Sequence, residues 1–142
     1  MREWLAKSAI AELITRYVNL LDVRDWEAVA ALYTEDGRLS RPTAPDQFIA
    51  GRAAILASLK TRPPGATRHV CANVLVTVQG EALATATSQL LLYTGNAVDT
   101  GGLPVLSTPA PLVGSFRDRM VRTEQGWRFA ERRGSLDFRP GP

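Results

Sequence analysis

This chain has one histidine, one cysteine and no apolar run near the ~20 residues that a bilayer-spanning helix needs. With Cys71 alone, no intrachain disulfide and no multi-cysteine metal site can form. With His69 alone, the usual zinc clusters, which draw on several His and Cys, are not expected. No glycine-rich phosphate loop opens a helix. Ser88, Ser107 and Ser115 lack the strand–turn–helix setting of an activated serine nucleophile. The segment Met1 to Lys7 contains an acid and no continuous apolar stretch, so no secretory signal is expected and a cytoplasmic location follows by default. No metal, nucleotide or other cofactor is implied.

Charge of one sign is in modest excess, at +3, and the isoelectric point is near 9.5. Arginines are scattered from Arg2 to Arg68, and a denser group from Arg117 to Arg139 alternates with apolar residues as the exposed face of strands does. Nucleic acid is therefore not the expected partner. Hydrophobic residues make up 45% and charged residues 22% of the 142 positions, an ordinary balance for a globular protein. One domain over residues 1–142 is the expected organisation, with no internal repeat.

Between Ser8 and Asp22, Ile10, Leu13, Ile14, Tyr17, Val18 and Leu21 recur at helical spacing. Asp22 falls about 40° beyond Val18, on the margin of that stripe. Asp25 can cap a second helix, Trp26 to Tyr33, ended by Glu35-Asp36-Gly37. A short strand around Arg38 to Arg41, a Pro-containing loop and a third helix from about Arg52 to Lys60 follow. The remainder reads as strands over Thr67–Val78, Glu81–Thr94, Leu112–Thr123 and Gly126–Phe138. A Gly/Pro/Ser/Thr-rich connection occupies 94–111. Helices first and strands after predict an α+β fold, with helices on one face of a mainly antiparallel sheet.

Period-two alternation places His69, Cys71, Asn73 and Leu75 on one strand face, and Val70, Ala72, Val74 and Val76 on the other. His69 suits general-base work because its ordinary pKa lies near neutrality. A carboxylate at its second ring nitrogen would fix the tautomer. Pattern alone leaves both options open: a structural strand histidine with a helix-end aspartate, or a proton-transfer pair of Asp22 and His69. Phe116, Asp118 and Met120 share the more apolar face of their strand. A buried Asp118 needs a partner, and Arg132 is the candidate. Strict alternation groups Arg132 with Arg128 and Ala130, opposite Trp127 and Phe129, so either a bulge intervenes or Arg132 points outward. Tyr17, on the apolar stripe, is either a core aromatic or an oxyanion donor.

Asp22-Val-Arg-Asp25-Trp26-Glu27 after an amphipathic helix, Thr67-Arg-His69 opening a strand, and Gly126-Trp127-Arg-Phe129 before Arg132 resemble the SnoaL-like family. The family belongs to the nuclear transport factor 2-like superfamily, and the resemblance is to its scytalone dehydratase-like branch. It covers essentially the whole chain. It implies a cone-shaped, strongly curved sheet with N-terminal helices enclosing a deep apolar pocket, and a homodimer or higher homo-oligomer. It also implies a proton-abstracting pair at Asp22 and His69, with Tyr17, Phe116, Asp118 and Arg132 binding substrate. The chain departs from scytalone dehydratase in having no second histidine, and Arg41 falls near that enzyme's strand tyrosine. Ser40-Arg41-Pro42 offers no carboxylate where ketosteroid isomerases carry their base.

The expected activity is that of a cofactor-independent lyase or isomerase acting on a small hydrophobic molecule, cyclic molecules included. Three alternatives stand beside it. One is a binding protein without catalysis. Another is a partner-binding module using an exposed sheet face with Trp127 and Phe129. The third is a hydrolase built on Asp118, Arg132 and a further acid.

Overall fold

The apolar stripe of the first helix is covered by the inner face of a six-stranded sheet, in a computed structural model that describes residues 2–97 and 101–141. Helix α1, Glu3–Asp22, buries Ile10, Leu13, Ile14, Tyr17, Val18 and Leu21. The 3.6-residue period leaves them one shared side, and they pack toward the strands. Helix α2, Trp26–Ala30, is capped by Asp25, whose carboxylate accepts from the Ala28 main-chain N–H at 3.2 Å.

This second helix is shorter than the sequence suggests. Phe129 N–H donates to Leu32 O at 2.9 Å, and Tyr33 pairs with Phe129. Sheet pairing therefore captures Tyr33 and opens strand β1, Tyr33–Ser40, well before the expected Arg38. The Glu35–Gly37 segment lies inside that strand, where its register slips. A two-residue strand β2, Ile49–Ala50, was not anticipated; helix α3, Arg52–Lys60, was.

Strands β3 (Ala66–Val78), β4 (Leu83–Gly95), β5 (Leu112–Thr123) and β6 (Gly126–Leu136) lie near their expected positions. The last ends at Leu136 rather than Phe138. The sheet order is β2-β1-β6-β5-β4-β3. All neighbours are antiparallel except β1 with β6, so the sheet is mixed and does not close on itself. Helix α1 lies across β3 and β6. The connection after β4 turns back on itself, Asn96 N–H donating to Val105 O at 3.1 Å. Positions 98–100 of that connection lie outside the described residues.

Two bulges decide which side chains look inward. On β3, pairing passes from Ala72↔Gln89 to Leu75↔Thr87, and Asn73 takes φ 54°. Asparagine tolerates this left-handed conformation better than most residues. The extra residue changes the face, so Val74, Val76 and Val78 continue the inner surface begun by His69 and Cys71. Grouping Asn73 and Leu75 with His69 is therefore corrected: Leu75 is 69% exposed. On β6, Arg119 pairs with Glu131 and Met120 with Phe129, leaving Ala130 as the added residue. Phe129 and Arg132 consequently both face the core, at 0% and 1% exposure.

The same burial corrects one expectation: Trp127 and Phe129 are core residues and do not lie on an exposed sheet face.

Gly134 brings the reversal after β1 against β6. A Cβ there would sit 2.5 Å from Pro42 N and 2.9 Å from Arg41 C. Gly134→Ala should displace the Arg41–Pro42 segment and lower stability by about 1–3 kcal/mol. Chemical denaturation checks this; an unchanged midpoint would mean the contact does not constrain the fold.

Candidate active site

Asp22 is the last residue of α1. The helix stops just beyond it because Arg24 turns to φ 61°, letting Arg24 N–H reach Leu21 O at 3.0 Å and Asp25 N–H reach Leu20 O at 3.1 Å. The Asp22 side chain then projects onto the first residues of β3. Its Oδ1 accepts from His69 Nδ1 at 2.6 Å and from Thr67 Oγ1 at 2.9 Å. Its Oδ2 accepts from the His69 main-chain N–H at 2.9 Å. The His69 and Asp22 side chains are 8% and 5% exposed.

A carboxylate can only accept, so the geometry assigns the ring hydrogen to Nδ1 and leaves Nε2 with its lone pair. Burial holds the imidazole below its ordinary pKa, outweighing the hydrogen bond and negative charge of Asp22. The positive charges of Arg62 and Arg132 act in the same direction as burial. At neutral pH His69 is therefore an uncharged base.

His69 lines a cavity of about 180 Å³. Val18, Leu21, Leu39, Leu90, Leu92 and Phe116 supply apolar wall, and Tyr17, Arg41 and Arg62 add polar groups. Tyr17 and Tyr33 hydroxyls meet at 2.7 Å in the interior. Burial keeps Tyr33 well above its ordinary pKa, so its phenol stays protonated. If Tyr33 donates to Tyr17, both buried oxygens are satisfied and the Tyr17 hydrogen remains for the cavity.

Asp118 and Arg132 meet as the sequence suggested, through Nε to Oδ1 at 2.7 Å and Nη2 to Oδ2 at 3.2 Å. The inward turn of Arg132 is the product of the Ala130 bulge. Burial pushes the Asp118 carboxyl up while Arg132 pulls it down. Despite its own burial, Arg132 is held above its ordinary value by Asp118, and the guanidinium stays charged.

Neither member lines the cavity, which corrects the expectation of direct substrate contact. The guanidinium is instead packed among rings, 4.5 Å from Tyr17, 4.1 Å from Phe116 and 4.4 Å from Phe129. Its bidentate carboxylate is Asp118, Asp22 is engaged by His69 and Thr67, and among the described residues no second acid is paired with Arg132, as the hydrolase alternative would need.

Sequence reasoning missed four contributors: Thr67, Tyr33, Arg41 and Arg62. Thr67 was legible, since it lies two residues before His69 on the same strand face. Arg41 and Arg62 come to the cavity after β1 and after α3, at places that carry no periodic signal, and Tyr33 reaches Tyr17 from the start of β1. Among the described residues no group of three or more His, Cys, Asp or Glu is placed to hold a metal ion. Burial raises the Cys71 thiol above its ordinary pKa, which disfavours the reactive thiolate.

Comparison with known proteins bears on this arrangement. The model of the SnoaL-like domain matches residues 2–133. The chain belongs to the SnoaL-like family. Among solved structures, this SnoaL-like protein is similar to one provisionally named a scytalone dehydratase, from Novosphingobium aromaticivorans DSM 12444. The two share 24% identity, cover 92% of this chain and 83% of that one, and superpose with a TM-score of 0.76. A nuclear transport factor 2-like protein with a cystatin-like fold from Novosphingobium aromaticivorans is 28% identical, over 97% of this chain and 86% of the other, with TM-score 0.74. A protein provisionally named an aromatic ring hydroxylase, from the same species, is 19% identical over 98% and 94% of the two chains, with TM-score 0.80. No curated protein matches the chain. At these identities the likeness is one of fold.

Two outcomes follow from the geometry. The single histidine should titrate with a midpoint below about 6.5, read without overlap from its NMR resonances. Asp22→Asn should move the midpoint lower still, because both contributions from Asp22 favour the charged ring. Removing the Asp118 side chain strands a buried guanidinium, so Asp118→Ala should cost about 3–5 kcal/mol in chemical denaturation.

Proposed function

We propose that this SnoaL-like protein is a cofactor-independent lyase or isomerase of the dehydratase, dehydrohalogenase or double-bond isomerase type. The observation that carries the reading is the 2.6 Å contact between the Asp22 carboxylate and Nδ1 of a histidine whose ring lines an apolar cavity. In this reading the substrate presents a C–H acidified by a neighbouring carbonyl. His69 Nε2 takes the proton, and the electron pair moves onto the carbonyl oxygen as an enolate. Asp22 stabilises the imidazolium so formed and keeps the ring in its productive tautomer.

Tyr17 donates to the developing oxyanion, supported from behind by Tyr33. The guanidinium of the Asp118–Arg132 pair packs over the Tyr17 ring and holds it in place without touching substrate. Collapse of the enolate either expels a β-hydroxyl or halide, with the proton returned to the leaving group or solvent, or accepts the proton at another carbon. The first outcome is elimination and the second is double-bond migration. The one structure provisionally named a scytalone dehydratase is consistent with the first. A buried imidazole that is oriented by a carboxylate and lines the cavity supports chemistry over carriage.

The test is solvent-deuterium incorporation into a panel of cyclic ketones with and without β-hydroxyl or β-chloro groups, followed by mass spectrometry. Wild-type protein should label at least one of them. His69→Gln should slow labelling by roughly 10²–10⁴-fold, while circular dichroism stays unchanged. Equal labelling by the variant would reject His69 as the base.

A further inference from the structure

Two arginines in the cavity are left unused by proton abstraction. Arg41 and Arg62 both line it. The ion pairs found among the described residues engage other cations, and neither of these arginines has a carboxylate in range. Among the described residues no Asp or Glu side chain contributes to the cavity wall. Asp22, the nearby acid, is occupied by His69 and Thr67.

Both cations are nonetheless built into place. Arg41 Nη2 donates to Ser58 Oγ and Ser58 O at the end of α3, while its Nε is buried with no partner. Arg62 lies 5.7 Å from the Trp26 ring, and its carbonyl accepts from Arg24 Nη2 at 3.1 Å. Burial draws Arg62 below its ordinary pKa, and the charges of Arg41 and Arg24 add to that effect. Two uncompensated guanidinium groups beside an apolar hollow are costly unless an anion joins them. Guanidinium forks suit a planar carboxylate better than a lysine would. Size narrows the ligand further, because a cavity of about 150 Å³ holds one benzene ring and this one measures about 180 Å³.

We infer that the cavity takes a small single-ring carboxylate, its anionic end against Arg41 and Arg62 and its ring against Leu90, Leu92 and Phe116, facing His69. This names the substrate class of the site proposed above and rests on that reading for the reaction, but not for binding.

The probes are 4-methylbenzoate and 4-methylbenzamide, which share shape and differ in charge. Titration calorimetry at about pH 8, where His69 is neutral, should show the carboxylate binding roughly tenfold or more tightly than the amide. Arg62→Gln and Arg41→Gln should each remove most of that preference and leave amide binding little changed. His69→Gln should keep it. The comparison on wild-type protein stands even if Arg41→Gln fails to fold. Equal affinities, no binding of either probe at millimolar concentration, or a preference that survives in Arg62→Gln would overturn the inference. Absence of deuterium labelling with the carboxylate preference intact would count against the reaction alone.

Discussion

The end of the first helix is tied to the sheet by one carboxylate with three donors. Apolar contacts bring α1 against the strands, but such contacts are non-directional and permit sliding and rotation. Asp22 removes that freedom by binding the His69 main chain with one oxygen and the His69 ring and Thr67 hydroxyl with the other. A buried carboxylate without such partners would be strongly unfavourable. The interaction that locks helix to strand is therefore also the one that orients the imidazole.

Positive charge surrounds the imidazole on two sides. Arg132 lies within the aromatic core, paired with Asp118, and Arg41 and Arg62 lie at the cavity with no carboxylate partner among the described residues. Both Arg62 and Arg132 disfavour protonation of His69. The same field favours any anion in the cavity, whether a bound carboxylate or an enolate formed during reaction. A neutral base and a stabilised anion are thus two consequences of one charge distribution. Tyr17 joins these layers, since its hydroxyl meets Tyr33 and its ring covers Arg132.

Regular elements were legible because their period is written in side-chain order. The α1 stripe, α3, and the β5 and β6 strands needed only hydrophobic spacing and turn residues. Errors gathered where an extra residue broke the period. Asn73 reversed the face of β3 after Cys71, and Ala130 turned Arg132 inward. Asparagine at a left-handed position is a weak hint of the first bulge; nothing local marks the second. The shortened α2 is a case of tertiary pairing overriding a helix, since Phe129 claims Leu32 and Tyr33 from far along the chain.

What the residues determined by themselves is the fold class, the lone histidine, and an aspartate at the margin of an amphipathic helix. These follow from local spacing and from a family likeness spread over the chain. Whether Asp22 and His69 meet, whether Arg132 faces in, and whether Arg41 and Arg62 share a cavity were decided only in three dimensions. Each depends on strand register, bulges or chain reversals, and a shift of one residue there exchanges inside for outside.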